Sequence, residues 1–312
     1  MARIFVAGEA LIDFVPSTTA AGERAFVPHP GGSPFNAAKA AALAGGEAHF
    51  VGTLSTDFLG HMLREDLSAA GVALDGIASS DKPSALAFVD LSTGEPAYAF
   101  HFEGTAEAVA APSLEGMAPE PGDIVHVGSI SLAGEAADRI ADFAVAEAGR
   151  RMVSLDPNAR PVLIHDRPGW ERHMERLMDV ASILKLSSED LDYMRPGTAP
   201  VDYARGAVER GVPLAIVTGG GEGARAITPS GEASVAAPRV EVADTVGAGD
   251  TLMGAALAWI AERGTADRDA LAALDGDALT ALLRFATVAA AINCTRHGCK
   301  PPTRAEIDAF TG

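Results

Sequence analysis

Six short apolar runs constrain the fold most: Ile4 to Ala7, His49 to Thr53, Asp123 to Gly128, Met152 to Leu155, Ala181 to Leu186 and Leu214 to Thr218. Each has the length of a strand, and most are followed by a longer stretch with apolar residues at helical spacing. Candidate helices are Phe35 to Ala44, Phe58 to Ala70, Gly134 to Arg150, Tyr203 to Arg210, Ala248 to Ala261 and Ala278 to Asn293. Alternation of this kind predicts an α/β fold, a central and mostly parallel sheet with helices on both faces. Residues 14–28 and 84–102 depart from it and read as short strands broken by turns, including Ser92-Thr93-Gly94-Glu95. No repeat, low-complexity tract or Pro/Gly linker divides the chain.

The formal net charge of -18 argues against a nucleic-acid partner, which needs basic patches. It is no obstacle to an anionic nucleotide, provided the pocket supplies amides and a metal ion. Cys294 and Cys299 lie close together without further ligands at metal spacing, and read as buried small hydrophobes before a redox pair, with no disulfide framework implied. No apolar run reaches the roughly 18 residues of a transmembrane helix. A cytoplasmic protein without a membrane partner is therefore expected.

The most chemically informative stretch is Asp244-Thr245-Val246-Gly247-Ala248-Gly249-Asp250-Thr251, which leads into the apolar run Leu252 to Ile260. Gly247, Ala248 and Gly249 leave the backbone uncovered, so that consecutive N–H groups at a helix N-terminus can converge on an anion. Asp250 falls in the first turn. Its carboxylate suits either a general base facing that anion or a partner of the helix dipole. Leu252, Ala255, Ala256 and Trp259 would pack the helix down and fix the loop.

A competing motif is Gly219-Gly220-Gly221-Glu222-Gly223-Ala224, which follows a strand and formally matches a dinucleotide fingerprint. Such a fingerprint must open a helix, whereas Ala226 to Glu232 has turn and β character, so a dehydrogenase is disfavoured. A P-loop kinase is disfavoured too, because no G-x-x-x-x-G-K-[ST] sequence occurs.

Three stretches in this order, Pro30-Gly31-Gly32-Ser33-Pro34-Phe35-Asn36-Ala37-Ala38-Lys39, Asp156-Pro157-Asn158-Ala159-Arg160 and the loop at Asp244, resemble the ribokinase-like sugar kinases of the PfkB type. The tail Ala289 to Gly298 is similar to the family's nucleotide-side helix. The resemblance spans the whole chain and implies one kinase domain over residues 1–312. The opening Gly8 to Pro16 is most similar to bacterial fructokinases.

The resemblance implies ATP-dependent transfer of the γ-phosphate to a hydroxyl of a small neutral sugar, with fructose foremost. Ribose, a nucleoside or 2-keto-3-deoxygluconate are alternatives, as is a non-catalytic nucleotide- or sugar-binding protein. It assigns Asp250 with Gly247, Ala248 and Gly249 to catalysis. Asp13, Gly32, Asn36, Phe102, Asn158 and Arg160 fall to the substrate, and Lys185, Thr218, Gly220, Gly223 and Asn293 to the nucleotide. Magnesium is implied, held through water by Glu189 or Asp190 in the stretch Ser187-Ser188-Glu189-Asp190, where the family usually has Asn-x-x-Glu. Potassium at Asp244 and Val246 is a further implication. The segments 14–28 and 84–102 would form a β lid that doubles as a homodimer contact. Glu103 stands where bacterial fructokinases and related keto-acid sugar kinases tend to place arginine; a carboxylate there disfavours an anionic sugar by like-charge repulsion and leaves the exact neutral sugar open.

Overall fold

The computed structural model describes residues 1–90, 97–264 and 267–311. Its strands are β1 (Arg3–Ala7), β2 (Leu11–Thr18), β3 (Arg24–Gly31), β4 (Glu47–Ser55), β5 (Ile77–Ser80), β6 (Leu86–Asp90), β7 (Ala97–His101), β8 (Ile124–Gly128), β9 (Met152–Asp156), β10 (Ile183–Ser187), β11 (Leu214–Thr218), β12 (Ala224–Thr228) and β13 (Gly231–Val235). The helices are α1 (Ser33–Leu43), α2 (Phe58–Ala69), α3 (Ala137–Glu147), α4 (Arg167–Val180), α5 (Ser188–Met194), α6 (Pro200–Glu209), α7 (Ala248–Glu262), α8 (Arg268–Ala272), α9 (Gly276–Cys294) and α10 (Arg304–Asp308). The turn expected at Ser92 to Glu95 lies outside the described residues.

Among the described residues, nine strands form one sheet in the order β13-β12-β11-β10-β9-β8-β1-β4-β5. From β11 to β5 the strands run parallel, and β12 and β13 return antiparallel. The central strands are buried on both faces, which is why they read as unbroken apolar runs. Sheet growth goes one way from β1 to β4 and β5, and the other way through β8 to β11. The crevice at the carboxyl ends of β1 and β8 is therefore the topological switch point, where open α/β sheets take their ligands. The expected lid segments form a second sheet, β3-β2-β6-β7.

Two helices from opposite ends of the chain meet under that crevice. A Cβ on Gly254 of α7 would stand 2.4 Å from the Ala37 carbonyl and 2.6 Å from the Ala40 Cβ of α1. Only glycine against alanine permits this approach, and it brings the first turns of α1 and α7 side by side. Beneath them Phe35 and Phe50, both fully buried, meet edge-to-face at 6.2 Å, a geometry worth about 0.5–1.5 kcal/mol beyond area burial.

One expectation needs correction. Gly276–Cys294 is a helix of 19 residues, long and apolar enough to cross a membrane by length and composition. Its apolar stripe, including Leu279, Leu282, Leu283 and Ala286, is instead buried within the fold's main core cluster. Interruptions by Asp277, Thr280 and Arg284 hide this length from a search for unbroken apolar runs.

Candidate active site

The first turn of α7 is shaped by a glycine that nothing else can replace. Gly247 adopts φ 71°, in the left-handed region, and a Cβ there would fall 2.2 Å from the Cys299 Sγ. The Ala248 amide closes a turn onto the Thr245 carbonyl at 3.2 Å. Among the described residues the amides of Gly247, Gly249 and Asp250 make no bond within the protein, so three donors stay open at the positive end of a 15-residue helix. The open set is thus shifted from the expected Gly247, Ala248 and Gly249.

Asp250 caps nothing: Gly247 is the N-cap, and no side chain bonds the first turn. Its carboxylate reaches across to α1, where Ser33 Oγ donates to Oδ1 at 2.7 Å and Asn36 Nδ2 donates to Oδ2 at 2.9 Å. Asn158 Nδ2 donates to Ser33 Oγ at 2.8 Å, and Arg160 Nη1 donates to Asn158 Oδ1 at 2.7 Å. Ser33 is itself fixed from below, because its amide donates to the fully buried Glu9 carboxylate. Gly32 before it has φ 104°, and a Cβ would meet the Glu9 carbonyl at 3.0 Å. The α1 entrance, the segment after β9 and the α7 entrance thus converge on one carboxylate.

A buried charged layer lies next to this convergence. Lys185 of β10 pairs with Asp156 of β9 at 2.8 Å, both side chains nearly inaccessible. Its Nζ would lie 3.3 Å from a Cβ on Gly249, so the ammonium abuts the α7 entrance. Burial works to lower the Lys185 pKa, but Asp156, Asp190 and Asp250 outweigh it and hold it above the ordinary value. Burial pushes Asp156 up to about 6 against the pull of Lys185, helped by Asp190 and Asp250. His126 on β8 is kept neutral, its pKa driven down to about 3 by burial and then by Lys185. Lys185, expected at the nucleotide, is thus ion-paired to a carboxylate beneath the α7 entrance.

Asp190 is equally committed. It completes a capping box at the start of α5, accepting from the Ser187 amide at 2.8 Å and hydroxyl at 2.7 Å, and it accepts from the Ala159 amide at 2.8 Å. Glu189 beside it is exposed and unpaired among the described residues. Of the two carboxylates expected to serve magnesium, Asp190 is thus held by three donors and Glu189 by none among the described residues. Among the described residues no group of three or more His, Cys, Asp or Glu could hold a metal ion.

The lid supplies the opposite wall. The Asp13 carboxylate on β2 has no hydrogen-bond partner in the protein among the described residues, and burial followed by the Asp250 charge raises its pKa to about 7. Tyr98 on β7 is raised by burial and then by Asp13, lowered by Arg160 and raised again by Asp244, so it stands among all three. It stacks on Phe100 at 5.6 Å. Phe102, expected at the substrate, is buried with Leu11, Ala85, Ala87, Ala108 and Ile130 under the lid, while Glu103 is exposed.

On the far side, the Gly220–Glu222 turn joins antiparallel β11 and β12, so the glycine-rich run opens no helix. Thr218, half-buried, and Gly220, exposed, lie at the carboxyl end of β11. Gly223 is packed, a Cβ there meeting the Val235 carbonyl at 2.0 Å. Asn293 is fully buried and braces a loop: Nδ2 donates to the Val246 carbonyl at 2.8 Å, and Oδ1 accepts from the Lys300 amide at 2.8 Å. Asn293, expected at the nucleotide, thus braces the loop that leads into α7. Asp244 accepts from the Val246 and Gly298 amides at 3.0 and 2.8 Å, pinning the same loop.

Ser33, Glu9, Asp156, His126 and Tyr98 were not singled out from sequence. Glu9, Ser33 and Asp156 stood inside stretches that were, so polarity beside a required glycine or at a strand's end was the available signal.

The chain belongs to the pfkB family of carbohydrate kinases, whose model matches residues 1–306. It is 37% identical over 284 residues to a fructokinase of Rhizobium leguminosarum bv. trifolii, covering 88% of this chain and 85% of that one. Similarity to probable fructokinase-4 of Arabidopsis thaliana is 35% identity over 316 aligned positions, 97% of this chain and 94% of the other. The crystal structure of fructokinase with bound ATP from Xylella fastidiosa superposes with a TM-score of 0.86 at 30% identity, covering 98% of this chain and 97% of that one.

Proposed function

We propose that this carbohydrate kinase transfers the γ-phosphate of ATP to a hydroxyl of a small neutral sugar, with fructose the first candidate. One observation carries the reading: a carboxylate aimed by Ser33 and Asn36 shares a helix entrance with three unpartnered amides. Asp250 takes the hydroxyl proton as the sugar oxygen bonds to the γ-phosphorus, and the bond from phosphorus to the leaving ADP oxygen breaks. The amides of Gly247, Gly249 and Asp250 hold the charge that builds on the transferring group. Asp13 accepts from sugar hydroxyls beside Gly32 and Asn36, and Arg160 meets the phosphoryl group. Thr218, Gly220 and Gly223 line the nucleotide side. Glu189 would hold a magnesium ion through water, and such an ion would supply neutralisation of phosphate charge. ATP and fructose are favoured by what the similar proteins are named for and hold. The exposed Glu103 argues against a sugar acid.

ADP release with magnesium and ATP, across neutral hexoses, pentoses, nucleosides and sugar acids, tests this. Selective turnover of fructose supports it, another sugar displaces fructose alone, and turnover with none returns the chain to a binding role. Potassium at Asp244 and the Val246 carbonyl would brace the α7 entrance; equal rates in potassium and in a bulky organic cation would remove it. Phe26 and Val27, 45% and 43% exposed on the lid, favour a homodimer through that sheet, which a monomeric mass in sedimentation would refute. Two free thiols suit a reducing cytoplasm; recovery in a membrane fraction would contradict it.

A further inference from the structure

The hydrogen bonds around Asp250 have a direction, and donor and acceptor chemistry sets it. A guanidinium only donates, so Arg160 Nη1 at 2.7 Å fixes which end of the Asn158 amide is the oxygen. The Nδ2 end must then donate to Ser33 Oγ, at 2.8 Å. With that lone pair used, the one Ser33 proton is left for Asp250 Oδ1, at 2.7 Å. Charge-assisted bonds at both ends polarise the chain toward the carboxylate.

We propose that Ser33 is a positioning residue for phosphoryl transfer, locked by Arg160 and Asn158 so that it holds one oxygen of Asp250 in register with the open amides of α7. The inference rests on Asp250 being the base.

Three features set this apart from incidental packing. Asn158 sits at φ 36°, a left-handed conformation a non-glycine residue adopts at a cost, and that backbone aims its amide at Ser33. The Glu9 carboxylate holds the Ser33 amide, so the hydroxyl is placed from both sides. The bonds Arg160 makes all come from Nη1, to the Asn158 and Ala159 carbonyls and Asn158 Oδ1, which leaves Nε and Nη2 without a protein partner among the described residues. One guanidinium can therefore take the phosphoryl group on its outer edge while keeping the chain intact on its inner edge. By contrast, the Asn36 bond to Oδ2 is the one free to yield, since Asn36 can turn to the sugar and expose that oxygen to the hydroxyl it deprotonates.

The test is steady-state kinetics with ATP and the sugar found above, using Ser33→Ala, Ser33→Thr, Asn158→Gly, the double variant Ser33→Ala/Asn158→Gly and Asp250→Asn. Loss of one charge-assisted bond predicts a fall in kcat of about tenfold to a hundredfold for Ser33→Ala, with the KM for ATP within about twofold. Ser33→Thr, which keeps the hydroxyl, should recover most of kcat. Asn158→Gly suits φ 36° and so keeps the fold; it should lower kcat alone but add little to Ser33→Ala. Wild-type kcat in Ser33→Ala, or fully multiplicative losses in the double variant, overturns the proposal. If Asp250→Asn is inactive in that case, the base assignment stands without the relay. Wild-type turnover in Asp250→Asn would instead remove the base, and the relay with it.

Discussion

Asp13→Asn should stabilise the protein while disabling it. Burial and the neighbouring Asp250 charge raise the Asp13 pKa from its ordinary 3.8 to about 7. A raised carboxylate contributes stability that is fully present below the unfolded-state value and is lost as pH rises through the folded one. The ionised form above about pH 7 therefore carries a penalty of roughly 4 kcal/mol, from the distance between 3.8 and about 7 at 1.36 kcal/mol per tenfold. Asp13 is only partly buried, so solvent screening brings this to about 1–2 kcal/mol. An isosteric amide escapes the penalty, and at about 2–4 °C per kcal/mol in chains somewhat shorter than this one, Tm should rise by roughly 2–6 °C at pH 8. At pH 5 the native carboxyl is already protonated while the unfolded one is not, so the gain should be less than half as large. Sugar turnover should fall, because the amide loses a charged acceptor. Thermal melts of both proteins at the two pH values decide it. A lower Tm at pH 8, or a gain independent of pH, would refute the reasoning.

Lys185→Met leaves Asp156 buried without its cation, which should cost about 3–5 kcal/mol. Because Asp156 is raised to about 6 even with Lys185 present, the deficit in Tm should be larger at pH 8 than at pH 5.5, where the carboxyl can take up a proton. Gly247→Ala should lower both Tm and kcat, since φ 71° and the Cys299 sulfur both exclude a methyl group; unchanged kcat would show that the loop does not shape the phosphate site.

The sheet was legible because strands buried on both faces leave continuous apolar runs, and β11 emerged with the limits expected, Leu214–Thr218. Helix α4 was not legible: only Trp170, Met174 and Leu177 carry its apolar stripe among charged neighbours. The strand β5, Ile-Ala-Ser-Ser, has almost no apolar signature and is defined by pairing with β4. The site divides in the same way. Gly247 and Asp250 could be read locally, because backbone exposure and a helix start are local properties. Ser33 could not, since its partner is 217 residues away and depends on Gly254 letting two helices touch. Asn293 and Lys185 lie beside the α7 entrance, where burial ties each to neighbouring groups that sequence spacing does not reveal.

The central claim is that Asp250 takes the proton during phosphoryl transfer, and single-turnover rapid quench of Asp250→Asn tests it most directly. The account predicts transfer slowed by about a hundredfold or more, with ATP and sugar bound nearly as tightly as by the unaltered protein. Transfer within about fivefold of wild type, in a variant that folds and binds both substrates, would contradict it.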